Sequence, residues 1–160
     1  MIETTPHTTA VSRQKSLGAV WKIISPTQPK TRPGLAFNNE DALRILKRGI
    51  SSKVITPLSD YLSLGKGELV GILDIVRTTA LRWASKNQSL PKHSAENVLR
   101  VLELNNVAID TFETEAGALE WMRKPHPMLD GESPLESAAT SFGSRRVRDI
   151  LVAIKYGGVV

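Results

Sequence analysis

The chain has 160 residues, a formal charge of +5, 41% hydrophobic and 5% aromatic residues, and no cysteine. This length suits one ordinary domain or two small ones, with a core filled mainly by aliphatic side chains. The lack of cysteine excludes disulfides and thiolate metal sites and fits a reducing, cytoplasmic setting, while no apolar run approaches the ~20 residues of a membrane span.

The charge is unevenly placed. Residues 1–36 carry five Lys/Arg against one acid, residues 37–89 eight against five, and residues 90–160 eight against ten. A basic front suits nucleic acid, and a mildly acidic back suggests a different partner. Ordinary surface charge is the plainer alternative.

Residues 1–36 are rich in Thr, Ser and Pro and lack the apolar centre of a secretion signal. Within them Val20, Trp21, Ile23 and Ile24 form one apolar cluster, which reads as a short strand or as an arm that docks on a second copy. From Phe37 the pattern is helical. "NNEDALRILKRG" has Asn39 as N-cap, acids first, bases last and Gly49 as stop. "ITPLSDYLSLG" starts a second helix with Pro57 in its first turn and Gly65 behind it.

"KGELVGILDIVRTTALRWASK" then predicts two short helices. Glu68 to Leu73 forms the first, Asp74 to Val76 a tight connection, and Arg77 to Lys86 the second. Leu69, Ile72, Ile75, Ala80, Leu81 and Trp83 are expected to hold them together. The stretch resembles a helix-turn-helix of the Xre/Cro repressor type, with Asp74 where the turn usually has glycine. The resemblance implies that Arg77, Thr78, Thr79 and Arg82 face base edges, with Lys66 and Lys86 at the phosphate backbone. A plain helical hairpin with exposed arginines is the alternative.

"SAENVLRVLELNNVAIDTF" reads as the central packing helix, with Val98, Leu99, Val101, Leu102 and Ile109 on a wide face. Thr114 is expected to cap a short helix stopped by Pro125 and Pro127. "SPLE" places Ser133, Pro134 and Glu136 as a capping box with proline at the first helical position, in a helix expected to end at Gly143. The last helix carries Val147, Ile150, Leu151 and Ile154 on one face and stops at Gly157. His7, His93 and His126 lack the spacing of a metal or acid–base site, so neither a metal nor a cofactor is expected.

The stretch from Gly117 to Gly157 is similar to the C-terminal domain of Xre-type antitoxins from RES–Xre toxin–antitoxin pairs. Ala118, Trp121, Pro125, Pro127, Leu129, Gly131, Pro134, Leu135, Thr140, Gly143, Val147, Leu151, Ile154, Tyr156 and Gly157 carry the likeness. It extends more weakly through residues 49–110 and covers about two thirds of the chain. Asp130 departs from the pattern, which often has a second glycine there.

The resemblance implies an all-α protein that represses its own operon at operator DNA and inhibits a cognate RES-domain toxin. That toxin is ADP-ribosyltransferase-like and depletes NAD, and the antitoxin's C-terminal end blocks its NAD pocket. Trp121, Leu129, Arg146, Tyr156, Gly157, Gly158, Val159 and Val160 are the expected toxin contacts. Glycines would let the tail enter a narrow cleft in no preferred shape, and Tyr156 would stack there. A frayed helix end is the alternative. The expected organisation is an arm over residues 1–36, a helical DNA-binding domain over 37–110 and a toxin-binding domain over 111–160, in a homodimer with no membrane association and no enzyme activity. A stand-alone dimeric DNA-binding regulator is the competing function.

Overall fold

The computed structural model describes residues 6–25, 38–84 and 86–158. Residues 26–37, with most of the Pro-rich stretch, and Val159 and Val160 lie outside them. Among the described residues the chain is all-α. The order is α1 (Pro6–Ile24), α2 (Asn39–Arg48), a 3-10 turn (Ser52–Val54), α3 (Ile55–Leu62), α4 (Lys66–Ile72) and α5 (Arg77–Ala84). Then come α6 (Lys92–Phe112), α7 (Glu115–Arg123), a second 3-10 turn (Pro127–Leu129), α8 (Pro134–Ser137) and α9 (Ser141–Lys155). The only extended pairing among these residues is one antiparallel bridge between Ser51 and Ser89.

Helix α1 corrects the expected strand or docking arm. Leu17, Val20 and Ile24 recur at helical spacing and are buried, with α1 packed mainly on α3. Val20 and Ile24 are fully inside their own chain, so they are not offered to a second copy. The Arg48 side chain donates to the Ile24 carbonyl and occupies one of the acceptors left open at the end of α1.

Caps mark the other boundaries. Asn38, one residue before the expected Asn39, accepts from the Asp41 N–H at 2.8 Å, and Gly49 ends α2 at φ +88°. The Thr114 hydroxyl accepts from the Gly117 N–H. Ser133 and Glu136 close the expected capping box with Pro134 behind it. The Ser133 backbone N–H and hydroxyl, both bonded to Glu136, hold its carboxyl below the usual carboxylate range.

Gly143 does not end a helix. It lies in the first turn of α9, where its N–H donates to the Thr140 hydroxyl at 3.0 Å. A Cβ there would stand 1.9 Å from the Ser137 carbonyl oxygen. The glycine serves the close passage of α9 under the end of α8, a tertiary demand that local spacing does not reveal.

Helix α6 is the axis of the fold. Val98, Leu99, Val101, Leu102, Leu104 and Ala108 are buried, and α6 packs on α2, α7 and α9. Its neighbour α9 runs in the same direction. Glu103 pairs with Arg148 and Asp110 with Lys155, seven residues apart on both helices. Such exposed pairs stabilise weakly and chiefly mark register. On another side of α6, the Asn105 amide donates to the Tyr61 hydroxyl of α3 at 2.8 Å, both side chains being about 1% exposed.

Two outcomes follow from this packing. Burial, helped by the charge of Glu115, pushes the Tyr61 phenol up from 10.0 to about 12. The folded state therefore favours the neutral phenol. Its contribution is complete below pH 10 and is lost as pH rises from about 10 to about 12, removing ~2–3 kcal/mol. Urea unfolding across that range should show the decline, and Tyr61→Phe should flatten it relative to wild type. Separately, Gly143→Ala should cost ~3 kcal/mol or more by overpacking, whereas Gly131→Ala, facing open space, should cost only the ~1 kcal/mol of its left-handed backbone. Denaturant midpoints of the two variants check the difference.

Candidate functional site

The first surface is built by α4 and α5. Leu69, Ile72, Leu73, Ile75 and Ala80 are buried between and behind the two helices. The connection turns at Asp74, whose φ of +54° is the left-handed conformation that aspartate tolerates in place of glycine. The Ile75 N–H returns to the Val70 carbonyl at 3.0 Å. Behind α5, the Ser52 N–H donates to Gln88 and the Leu90 N–H to Ile50, tying the chain after the helix to the 3-10 turn.

This scaffold points α5 outward. Arg77, Thr78 and Arg82 are exposed, Thr79 is half-buried, and Lys66 and Lys86 are exposed on the flanks. Trp83 packs partly against the core, as its helical position predicts. Leu81 does not. It is 70% exposed on the outer face of α5 and is corrected from packing residue to surface residue. The sequence reading also missed Lys53. With Lys66 and Arg77 it lines a cleft of about 300 Å3, whose apolar lining is Ile55, Val70, Ala80 and Leu81. Three cations from three elements converge there, and their separation in sequence hid the grouping.

The second surface lies on α7 to α9. Trp121 is half-buried, its ring 5.7 Å from Phe112 and 5.8 Å from His126 between centroids. Leu129 is 3% exposed, so it supports the second 3-10 turn from within and is corrected as a surface contact. Asp130 has φ +56° and Gly131 φ +84°. The departure from glycine at Asp130 is thus another left-handed site that aspartate fills. Its carboxylate lies 3.6 Å from Arg146.

Tyr156 is 77% exposed, ten residues beyond Arg146 on α9. That is about 15 Å along the axis, so Tyr156 sits at the C-terminal cap of the helix while Arg146 lies in its second turn. Between them runs a ridge that spacing alone had not singled out. Phe142, Arg145, Asp149, Val152 and Tyr156 are all exposed and alternate at three and four residues, opposite the buried Val147, Ile150 and Leu151. The Lys155 ammonium, held above its usual value by its bond to Asp110, sits 5.8 Å from the Tyr156 ring centroid.

The two glycines after Tyr156 have a defined shape. The Gly158 N–H donates to the Ala153 carbonyl at 2.7 Å and the Gly157 N–H to Ile154 at 3.4 Å, with Gly157 at φ +72°. This is the Schellman closure of α9. A Cβ on Gly158 would meet Ala153 at 3.1 Å. The expectation of a tail without preferred shape is corrected here, because both glycines complete the helix cap.

Among the described residues there is no group of three or more metal-capable side chains, and no helix is long and apolar enough to cross a membrane. Residues 107–157, from within α6 to the α9 cap, match the antitoxin Xre/MbcA/ParS C-terminal toxin-binding domain. The chain is also similar to the Prs ADP-ribosylating antitoxin of Sphingobium sp. (strain YBL2), at 23% identity over 126 residues that cover 73% of this chain and 79% of that relative. The segment from the C-terminal part of α6 through α7, α8 and α9 thus matches the toxin-binding domain of antitoxins.

Proposed function

We propose that this antitoxin neutralises a cognate RES-domain toxin by laying the α9 ridge on it and seating Tyr156 and the residues that follow in the toxin's NAD pocket. The carrying observation is the ridge itself. Phe142, Val152 and Tyr156 are large apolar groups held in water by the domain that matches the toxin-binding family. Burying each such side chain contributes ~1.5–3 kcal/mol, which a protein partner would recover. The name of the Sphingobium relative joins an antitoxin with ADP-ribosylation and is compatible with a partner that handles NAD.

The closed cap refines how the tail acts. Gly157 and Gly158 fix the direction in which the chain leaves α9, so Tyr156 is presented in a set orientation rather than on a loose tether. Less ordering entropy is then lost on docking. Trp121, braced by Phe112 and His126, and Arg146 widen the contact at the other end of the domain.

In the same proposal the protein acts in the cytoplasm and represses its own operon, with α5 in the major groove. Arg77, Thr78 and Arg82 read bases, and Lys53, Lys66 and Lys86 hold phosphates. A second reading has one specific observation in its favour. Arg145 and Asp149 at the middle of the ridge would pair across two antiparallel α9 helices, which suits a dimeric regulator. In that case ridge variants would change oligomeric state rather than toxin protection.

Tyr156→Ala and Phe142→Ala should leave helicity intact and weaken toxin binding by ~2–4 kcal/mol each, the range for buried aromatic anchors. NAD turnover by the purified toxin, titrated with each variant, checks this. Full protection by both variants, with loss of dimer by light scattering, would favour the second reading. Arg77→Ala and Arg82→Ala should each cost ~1–3 kcal/mol in affinity for the operon's upstream DNA while toxin protection persists. Mobility shifts at fixed salt measure the first effect and NAD turnover the second.

A further inference from the structure

Leu81 stands at the cleft beside α5, which it lines together with Ile55, Val70 and Ala80. It lies on the outer face of α5, 70% exposed, while Ala80 and Trp83 make the inward contacts. Its neighbours on the outer face are polar: Arg77 stands four residues before it, Thr78 three before, and Arg82 next to it, all exposed. Most of its surface stays in water, so a partner that covered it would recover hydrophobic free energy. In the major groove such a position has one apolar target, the C5 methyl of thymine.

Reach supports that target. Arg77 and Leu81 are separated by one turn, about 6 Å of rise, which matches about two base-pair steps of duplex. An arginine forked onto guanine would leave the leucine over a base pair nearby. The cations Lys53 and Lys66, flanking the cleft beside Arg77, can hold phosphates and keep α5 in that attitude.

We propose that Leu81 is a specificity-determining residue that packs on a thymine methyl and makes α5 discriminate thymine from bases lacking that group. The inference rests on α5 entering the major groove and goes beyond it by assigning an apolar contact that the basic character of the surface conceals. Because Leu81 is exposed, its replacement leaves the core intact, so its effect is read in binding and not in folding.

The test uses the full chain and a duplex selected by it from a random double-stranded library. Each thymine of that duplex is replaced in turn by deoxyuridine, which removes the methyl and leaves the pairing edge. Affinities are compared by fluorescence anisotropy at one salt concentration. At least one replacement should weaken wild-type binding about three- to ten-fold, a contact on the scale of one or two buried carbons. Leu81→Ala should bind the thymine duplex weaker by a similar factor and lose the response to uridine. Leu81→Met, which keeps an apolar contact, should retain it.

A duplex selected with clear sequence preference but indifferent to every uridine replacement would overturn the inference and leave the DNA reading standing. An undiminished uridine response in Leu81→Ala would also overturn it. Failure to select any duplex would remove both. Loss of toxin neutralisation in Leu81→Ala, with DNA binding unchanged, would assign the leucine to a protein contact instead.

Discussion

Helix α6 is buried around most of its circumference, and the rest of the molecule is arranged by that burial. A helix apolar on so many sides must be covered on each of them. The chain covers it with α2, α7 and α9, and reaches α3 through the Asn105–Tyr61 hydrogen bond. Both surfaces thereby share one rigid element. The Arg100 side chain adds a polar tie, donating to Asn97 at 2.5 Å and reaching the Ala138 and Ala139 carbonyls at 3.4 Å, where α8 ends.

The parallel course of α6 and α9 decides which residues of α9 remain free. Once Val147, Ile150 and Leu151 face α6 and its neighbours, the side carrying Phe142, Val152 and Tyr156 stays exposed among the described residues. The same arrangement needs a glycine where α9 passes the Ser137 carbonyl, and ion pairs from Glu103 and Asp110 mark its register. The Schellman closure then sets the direction of the chain at the far end. An exposed ridge, a fixed register and a closed cap together make α9 a rigid presenting element.

The α4–α5 unit follows a different logic. Its turn tolerates aspartate because Asp74 can hold a left-handed conformation, and its packing is completed by residues distant in sequence. The bonds from Ser52 and Leu90 clamp the segment behind α5, and α1 packs on α3. The rim of Lys53, Lys66 and Arg77 therefore draws on the 3-10 turn and on both helices of the unit.

Local chemistry determined much of this in advance. The capping box at Ser133, the Thr114 cap, the Gly49 and Gly157 stops, the long apolar helix and the turn at Asp74 are each set by neighbours within a few residues, so the sequence alone determined them. It likewise determined the all-α class of the described residues and the likeness of residues 107–157 to an antitoxin toxin-binding domain. Only the tertiary structure decided the rest. Val20 and Ile24 look like a sticky arm until α3 is seen to cover them, and Leu81 looks like core until Ala80 and Trp83 take the inward positions. Gly143 reads as a stop until the Ser137 carbonyl appears against it. In each case the deciding contact comes from another element, and spacing along one helix does not say which neighbour will occupy which face.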